Sequence, residues 1–211
     1  MKRILLLGLI LLFISCKKES QTPNTDVSDI STKEFREFKV EDSKYIDVDA
    51  IWQPFEEEMK SFTEDDYNKL KPLIFDQDIP TIQSHIINKK LTYEALVKFY
   101  LYRIKKYDRV NEKSLNSVIA LNPNIINEAK AKDEARKIYG NLKPEIKHTH
   151  SLFGMPILLK DNINTQSMPT TAGAVAMMNN TTDDAFIVKQ LKQRGALILG
   201  KANLSEWAYF F

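Results

Sequence analysis

Lys160 is the residue of this 211-residue chain with the clearest capacity for chemistry. It ends the run Gly154-Met-Pro-Ile-Leu-Leu-Lys160 and is followed at once by Asp161 and Asn162. The short apolar stretch Met155 to Leu159 reads as a buried strand, which puts the lysine at a strand end. An ordinary lysine titrates near 10.4 and is a poor base at neutral pH. Desolvation disfavours the ammonium and lowers that value, so burial behind Ile157-Leu158-Leu159 would turn Lys160 into a base. The bland alternative is a lysine paired with Asp161 at a sheet edge, and on the residues alone it is the preferred reading. Asp161 and Asn162 also suit the turn that must follow the strand, because their side chains hydrogen-bond nearby backbone.

Other residues offer less. His148 and His150 form an H-x-H pair that could share a metal on a strand. No Cys, His or Asp cluster completes a site nearby, and Pro144 marks the segment as a loop, so no metal is expected. Ser151, Ser167 and Ser205 are the serines nearest Lys160 in the sequence. None lies in a glycine-serine-rich turn and no G-x-S-x-G is present.

Three separated blocks occur in one order: Gly154-Met-Pro-Ile-Leu-Leu-Lys-Asp-Asn-Ile-Asn164, Met168-Pro-Thr-Thr-Ala-Gly173, and Gly195-Ala-Leu-Ile-Leu-Gly-Lys-Ala-Asn-Leu-Ser-Glu-Trp207. Together they resemble the amidase signature family, serine hydrolases that cleave carboxamides with a Ser–Ser–Lys triad. The resemblance spans roughly residues 80 to 211 and reverses the preference at Lys160. It implies that Lys160 is the terminal base, taking a proton from a bridging serine that activates the nucleophilic serine. It implies supporting roles for Asp161, Asn162, Thr170, Thr171 and Gly173, with Gly173 allowing close backbone approach. Ala174 stands where many relatives carry serine, so no hydroxyl role is expected there. Lys201, Asn203, Ser205 and Glu206 fall in a block that folds near the site in relatives and read as scaffold. The family's two serines and its oxyanion donors come from a glycine-serine-rich segment downstream of these blocks. The expectation is a fragment that carries only the lysine and is inactive alone. No cofactor is implied, and substrate contacts stay unassigned. The implied substrate is a small-molecule or peptide amide. The wording of Gly200 to Ala208 is closer to secreted or peptide-amide amidases than to the tRNA-dependent amidotransferases. The competing reading is a non-catalytic lipoprotein or pseudoenzyme binding module.

These residues need a scaffold. Thr92 reads as the N-cap of a helix that runs to about Tyr107 with Leu96, Phe99, Tyr100 and Ile104 on one face. Leu115 to Leu121 reads as a strand. Asn122-Pro123 should open the next helix with proline at its first position, and Gly140 should cap its end. Lys143 to His150 reads as a polar loop. Asp183-Asp184 should open a helix with Ile187, Val188 and Leu191 inward and Gly195 at its end, followed by a buried strand from Ala196 to Leu199. Strand, long loop, helix and strand describe a crossover between parallel strands. The expected class is α/β, a mixed sheet covered by helices in the manner of the amidase signature fold, present only in its N-terminal part.

Met1 to Cys16 has a positive start at Lys2-Arg3 and an apolar run from Ile4 to Ile14, too short for a span that takes about 20 residues. It reads as a signal peptide over 1–15, and its end resembles a lipoprotein cleavage box, with Cys16 the lipidated residue. Cys16 is the only cysteine, so no intramolecular disulfide is available. Residues 16–32 read as a lipidated tether of low apolar content, 33–78 as a helical extension and 79–211 as the enzyme-like part. Phe55, Met59 and Phe62 recur at helical spacing and Asp78 to Lys90 suggests a short amphipathic helix. Thirty Lys and Arg against 28 Asp and Glu leave little net charge, and no basic block lies outside Lys2-Arg3, so a nucleic-acid partner is not expected. The expected location is the bacterial cell envelope, with the membrane reached through the lipid anchor.

Overall fold

Strand β3 (Leu197–Ala202) is the centre of the described structure, a computed structural model covering residues 47–108, 114–140 and 142–209. All of these lie within one unit, Val40–Phe211. The leader, Cys16, the tether and the extension before residue 47 lie outside the described residues. Strand β3 pairs antiparallel with β1 (Val118–Leu121) and parallel with β2 (Pro156–Lys160), giving the order β1-β3-β2. The β2–β3 pair has the parallel crossover expected from the sequence, and the class is mixed α/β.

Helices supply one side of the core. Short turns of helix, α1 (Val48–Trp52) and α2 (Glu56–Met59), lead into α3 (Glu64–Ile74). Helix α4 (Ile79–Ile87) and α5 (Tyr93–Tyr107) follow. Thr63 and Asp66 form a reciprocal capping box at α3, and Thr92 Oγ1 accepts from the Ala95 amide at α5. Helix α5 is central: Tyr93, Leu96, Val97, Phe99 and Leu101 are all inaccessible to solvent. Losing one such large side chain costs about 3–5 kcal/mol. The main cluster joins this helix to Phe55, Tyr67 and Ile74, to Ile125 and Ala129 of α6 (Ile125–Tyr139), and to Leu197 and Leu199 of β3. The opposite face of the sheet carries a smaller cluster of Leu159, Met168, Val188 and Ile198, covered by α8 (Phe186–Gln193).

Several local expectations are corrected. Helix α6 begins at Ile125, because Asn122 Oδ1 accepts from the Asn124 amide and places Pro123 ahead of the first turn. Gly140 does cap the end of α6 as expected, with φ −59° in an ordinary right-handed conformation. Pro144–Lys147 forms a short helix, α7, inside the expected loop. Asp184 does not open α8. Its carboxylate is taken by Thr165, Gln166 and Lys192 instead. Ile187 faces outward while Val188 is fully buried. Only Leu159 of β2 is buried, and Leu158 is 41% exposed, so β2 is a half-open outer strand of the sheet.

Candidate active site

The C-terminal end of β2 and the turn after it hold the residues singled out by the sequence. Lys160 is the last residue of β2 and its side chain is exposed, not buried as the base reading anticipated. In register, Lys160 pairs with Ala202, and Val118 of β1 pairs with the same Ala202. Leu159 pairs with Lys201, as does Ala120. Residues opposite one another in a ladder project to the same face and neighbours along a strand to opposite faces. Lys160 and Lys201 therefore belong to opposite faces of the sheet.

The approach to β2 is set by a buried polar latch. Gln83 of α4 is inaccessible, and its Nε2 donates to the carbonyls of Ser151 and Phe153, both at 2.8 Å. Tyr93 Oη donates to Gln83 Oε1 at 3.0 Å, and Arg136 donates to Tyr93 Oη and to the Ile146 carbonyl. Burial of the Tyr93 ring drives its pKa up, against the opposing effect of the Arg136 guanidinium. Gly154 has φ +73°, and any Cβ there would run into the Tyr93 ring. The chain enters β2 at an angle only glycine permits.

The exit from β2 is held by a buried charged network. Asp161 is 1% exposed, and its Oδ2 accepts from the Thr171 amide at 3.2 Å and from the Thr171 hydroxyl. Thr171 Oγ1 in turn accepts from the Gly173 amide at 3.1 Å. The Asp161 backbone donates to the Ala202 carbonyl and accepts from the Ala172 amide. Lys201 is fully buried, with Nζ donating to the Ile163 carbonyl at 2.6 Å and to Thr170 Oγ1 at 2.9 Å. Its ammonium lies 3.4 Å from Asp161 Oδ1. That oxygen has no partner in hydrogen-bond geometry, so the contact is coulombic. Desolvation pulls the Lys201 pKa below its ordinary value, and the Asp161 charge only partly restores it. Gly173 has φ +73°, and a Cβ would lie 2.8 Å from the Leu204 carbonyl oxygen.

The structure thus joins Asp161, Thr170, Thr171 and Gly173 in one assembly with Lys201 at its centre. Asn162 is exposed on the turn outside this assembly. Lys201 is the residue whose importance the sequence understated: it reads there as scaffold, yet it is the buried lysine of the pair. The available signal was its place at the end of the run Ala196 to Gly200, the most buried strand of the sheet. His148 and His150 sit exposed beside α7, and no group of His, Cys, Asp or Glu suited to a metal occurs among the described residues.

Comparison with known proteins places this geometry in context. The profile of the Amidase family matches residues 95–211, more than half of the chain. A probable amidase of Arabidopsis thaliana is 41% identical over 124 residues, which is 58% of this chain and 22% of that protein. A glutamyl-tRNA(Gln) amidotransferase component of Lawsonia intracellularis is 39% identical over 56% of this chain and 25% of its own length. An amidase family protein of Bacillus anthracis superposes with a TM-score of 0.65 at 36% identity, over 75% of this chain and 30% of that one. The native peptide amidase of Stenotrophomonas maltophilia gives 0.58 at 39% identity, over 64% and 26%. The chain spans about a quarter of the length of the curated relatives it matches.

Proposed function

Since the chain belongs to the amidase family, we propose that it is the lysine-bearing part of a serine hydrolase of carboxamides. The observation that carries this reading is Lys160, exposed at the C-terminal end of β2 and inside the matched region. In the neutral form its amine accepts a proton from a bridging serine. That serine deprotonates the nucleophilic serine, whose oxygen attacks the amide carbonyl. Collapse of the adduct releases the amine with the transferred proton, and water then hydrolyses the acyl ester. The two serines and the donors that stabilise the oxyanion are supplied by chain beyond these 211 residues, and this portion alone is inactive. The substrate is a linear amide, and the likeness to a peptide amidase favours a peptide amide. The same reading includes export and a lipid anchor at Cys16, supported by Lys2-Arg3, the apolar run Ile4 to Ile14 and the following cysteine.

The test uses a form of the chain long enough to carry the serines. Lys160→Ala should lower amide turnover about a hundredfold or more. Its melting temperature should hold within about a degree or two, because an exposed side chain is removed. Near-normal turnover by the variant overturns the assignment.

A further inference from the structure

We propose that Lys201 is a positioning residue for the Lys160 site, its buried ammonium holding from the rear face of the sheet the turn that aims Lys160. The inference rests on the reading of Lys160 as the base. Three contacts define the hold. Lys201 Nζ donates to the Ile163 carbonyl and to Thr170 Oγ1, and it faces Asp161 Oδ1 at 3.4 Å. Asp161 is covalently next to Lys160. Ile163 and Thr170 lie on the loop that leaves it. One cation therefore ties both ends of the segment to β3, the most buried strand, without occupying the face on which Lys160 lies.

The electrostatic situation of Lys201 separates this role from simple support. Asp161 is the titratable group facing it. From the neighbouring strands Leu159 and Ala120 lie beside it in register, and neither titrates. Desolvation holds the Lys201 pKa below that of the unfolded chain. In the pH window between the two values the unfolded state binds more protons than the folded state, so stability rises with pH there. Protonated Lys201 thus works against stability, while its charge holds the turn. Lys201 acts through its charge on the turn, and Lys160 through its own amine at the strand end.

The deciding experiment follows kcat, KM and melting temperature against pH in the long form, beside hydrogen exchange of residues 161–172. The probe substrate is a C-terminal peptide amide. In the native protein kcat should fall on the alkaline side, below the ordinary lysine range, while the melting temperature does not fall in that window. The double variant Lys201→Met/Asp161→Asn removes both buried charges and so avoids leaving one unpaired. It should melt near the native temperature, lose at least tenfold in kcat with KM within about twofold, and lack the alkaline limb. Its amides at 161–172 should exchange faster while those of 197–199 do not. A variant with native kcat and an intact alkaline limb overturns the proposal and leaves the amidase reading standing. So does loss of activity that tracks loss of melting temperature across pH. Exchange that is unchanged over 161–172 also overturns it. Failure of the amidase reading shows separately, as absence of turnover by the native long form or as full activity of Lys160→Ala.

Discussion

At the residue scale, the site is a contrast between two lysines set by position in a ladder. Lys160 ends β2 and Lys201 is the last residue but one of β3, and the register puts them on opposite faces, the first exposed and the second in a fully buried cage. The cage depends on Gly173, whose φ of +73° and close approach to Leu204 leave no room for a side chain. Gly173→Ala forces an L-residue into the left-handed region against a backbone oxygen. It should destabilise the protein by about 2–3 kcal/mol, read as a lower denaturant midpoint with an unchanged slope. The loss should come with faster exchange of the Thr171 and Gly173 amides, since both belong to the hydrogen-bonded chain from Asp161. Native stability in this variant would show that the loop bends without Gly173, and the cage would lose its structural basis. The sequence alone pointed to Lys160, Asp161, Thr170, Thr171 and Gly173 through the pattern of their blocks. It did not reveal which lysine is buried. That property follows from strand register and from a shift between Ile157 and Leu158 in the β2–β3 pairing, and neither leaves a mark in residue order.

At the element scale, the long connection from β2 to α8 is closed by a single carboxylate. Asp184 accepts from Thr165 Oγ1 at 3.1 Å, the Gln166 amide at 2.8 Å and Lys192 Nζ at 2.8 Å. Burial would raise its pKa, but the hydrogen bonds from Lys192, Gln166 and Thr165 outweigh it, and the net shift is downward. A carboxylate with a folded pKa below its unfolded value contributes stability that is complete above the unfolded value and is lost as pH falls through the folded one. The contribution is therefore full above about pH 5 and should fade below about pH 4. Asp184→Ala should cost about 1–3 kcal/mol at neutral pH and flatten the acid limb of the stability curve. An acid limb as steep in the variant as in the native protein would mean that other carboxylates set it. The same residue shows why boundaries are harder to read than elements. Helices α4, α5 and α6, strands β1 and β3 and the crossover are all legible from apolar spacing and from the Thr92 cap. Asp183-Asp184 reads as a helix start because acidic residues suit the positive N-terminal end of a helix. Here a lysine eight positions later and a loop eighteen positions earlier compete for the carboxylate and win. The Gln83 latch is similarly silent, since a lone glutamine in an amphipathic helix carries no sign of the carbonyls it will meet.

At the scale of the whole molecule, the described unit combines a well-filled helical side with an open one. The cluster around α5 is continuous from Phe55 to Leu199. At its edge β2 is an outer strand with Leu158 exposed, and on the face covered by α8 the side chains of Phe186 and Ile187 are 77% and 52% exposed. Trp207 and Tyr209 add 45% and 87%. An outer strand is a template for further pairing, and exposed large apolar side chains favour association. The 211-residue chain by itself should therefore self-associate, eluting ahead of a monomer in sizing chromatography at micromolar concentration and binding a hydrophobic dye. A monodisperse, cooperatively melting monomer would refute this expectation. The last expectation concerns where the molecule is held. Under the lipid-anchor reading, Cys16 is the only thiol in the chain and follows an apolar run with a basic start. An acyl chain contributes about 0.8 kcal/mol of membrane affinity per buried methylene, and stable anchoring takes more than one chain or an added basic patch. With little net charge on the chain to assist, multiple acylation must supply the hold. In a bacterial host the native protein should label with a fatty-acid probe and sediment with membranes. Cys16→Ser should lose the label, and the variant should accumulate unprocessed or appear in the soluble fraction. Because an unprocessed leader can itself keep a protein at the membrane, the label and the mass of the mature N-terminus decide the outcome. A native protein cleaved elsewhere and carrying no acyl group on Cys16 overturns the anchor and leaves the chemistry proposed for Lys160 untouched.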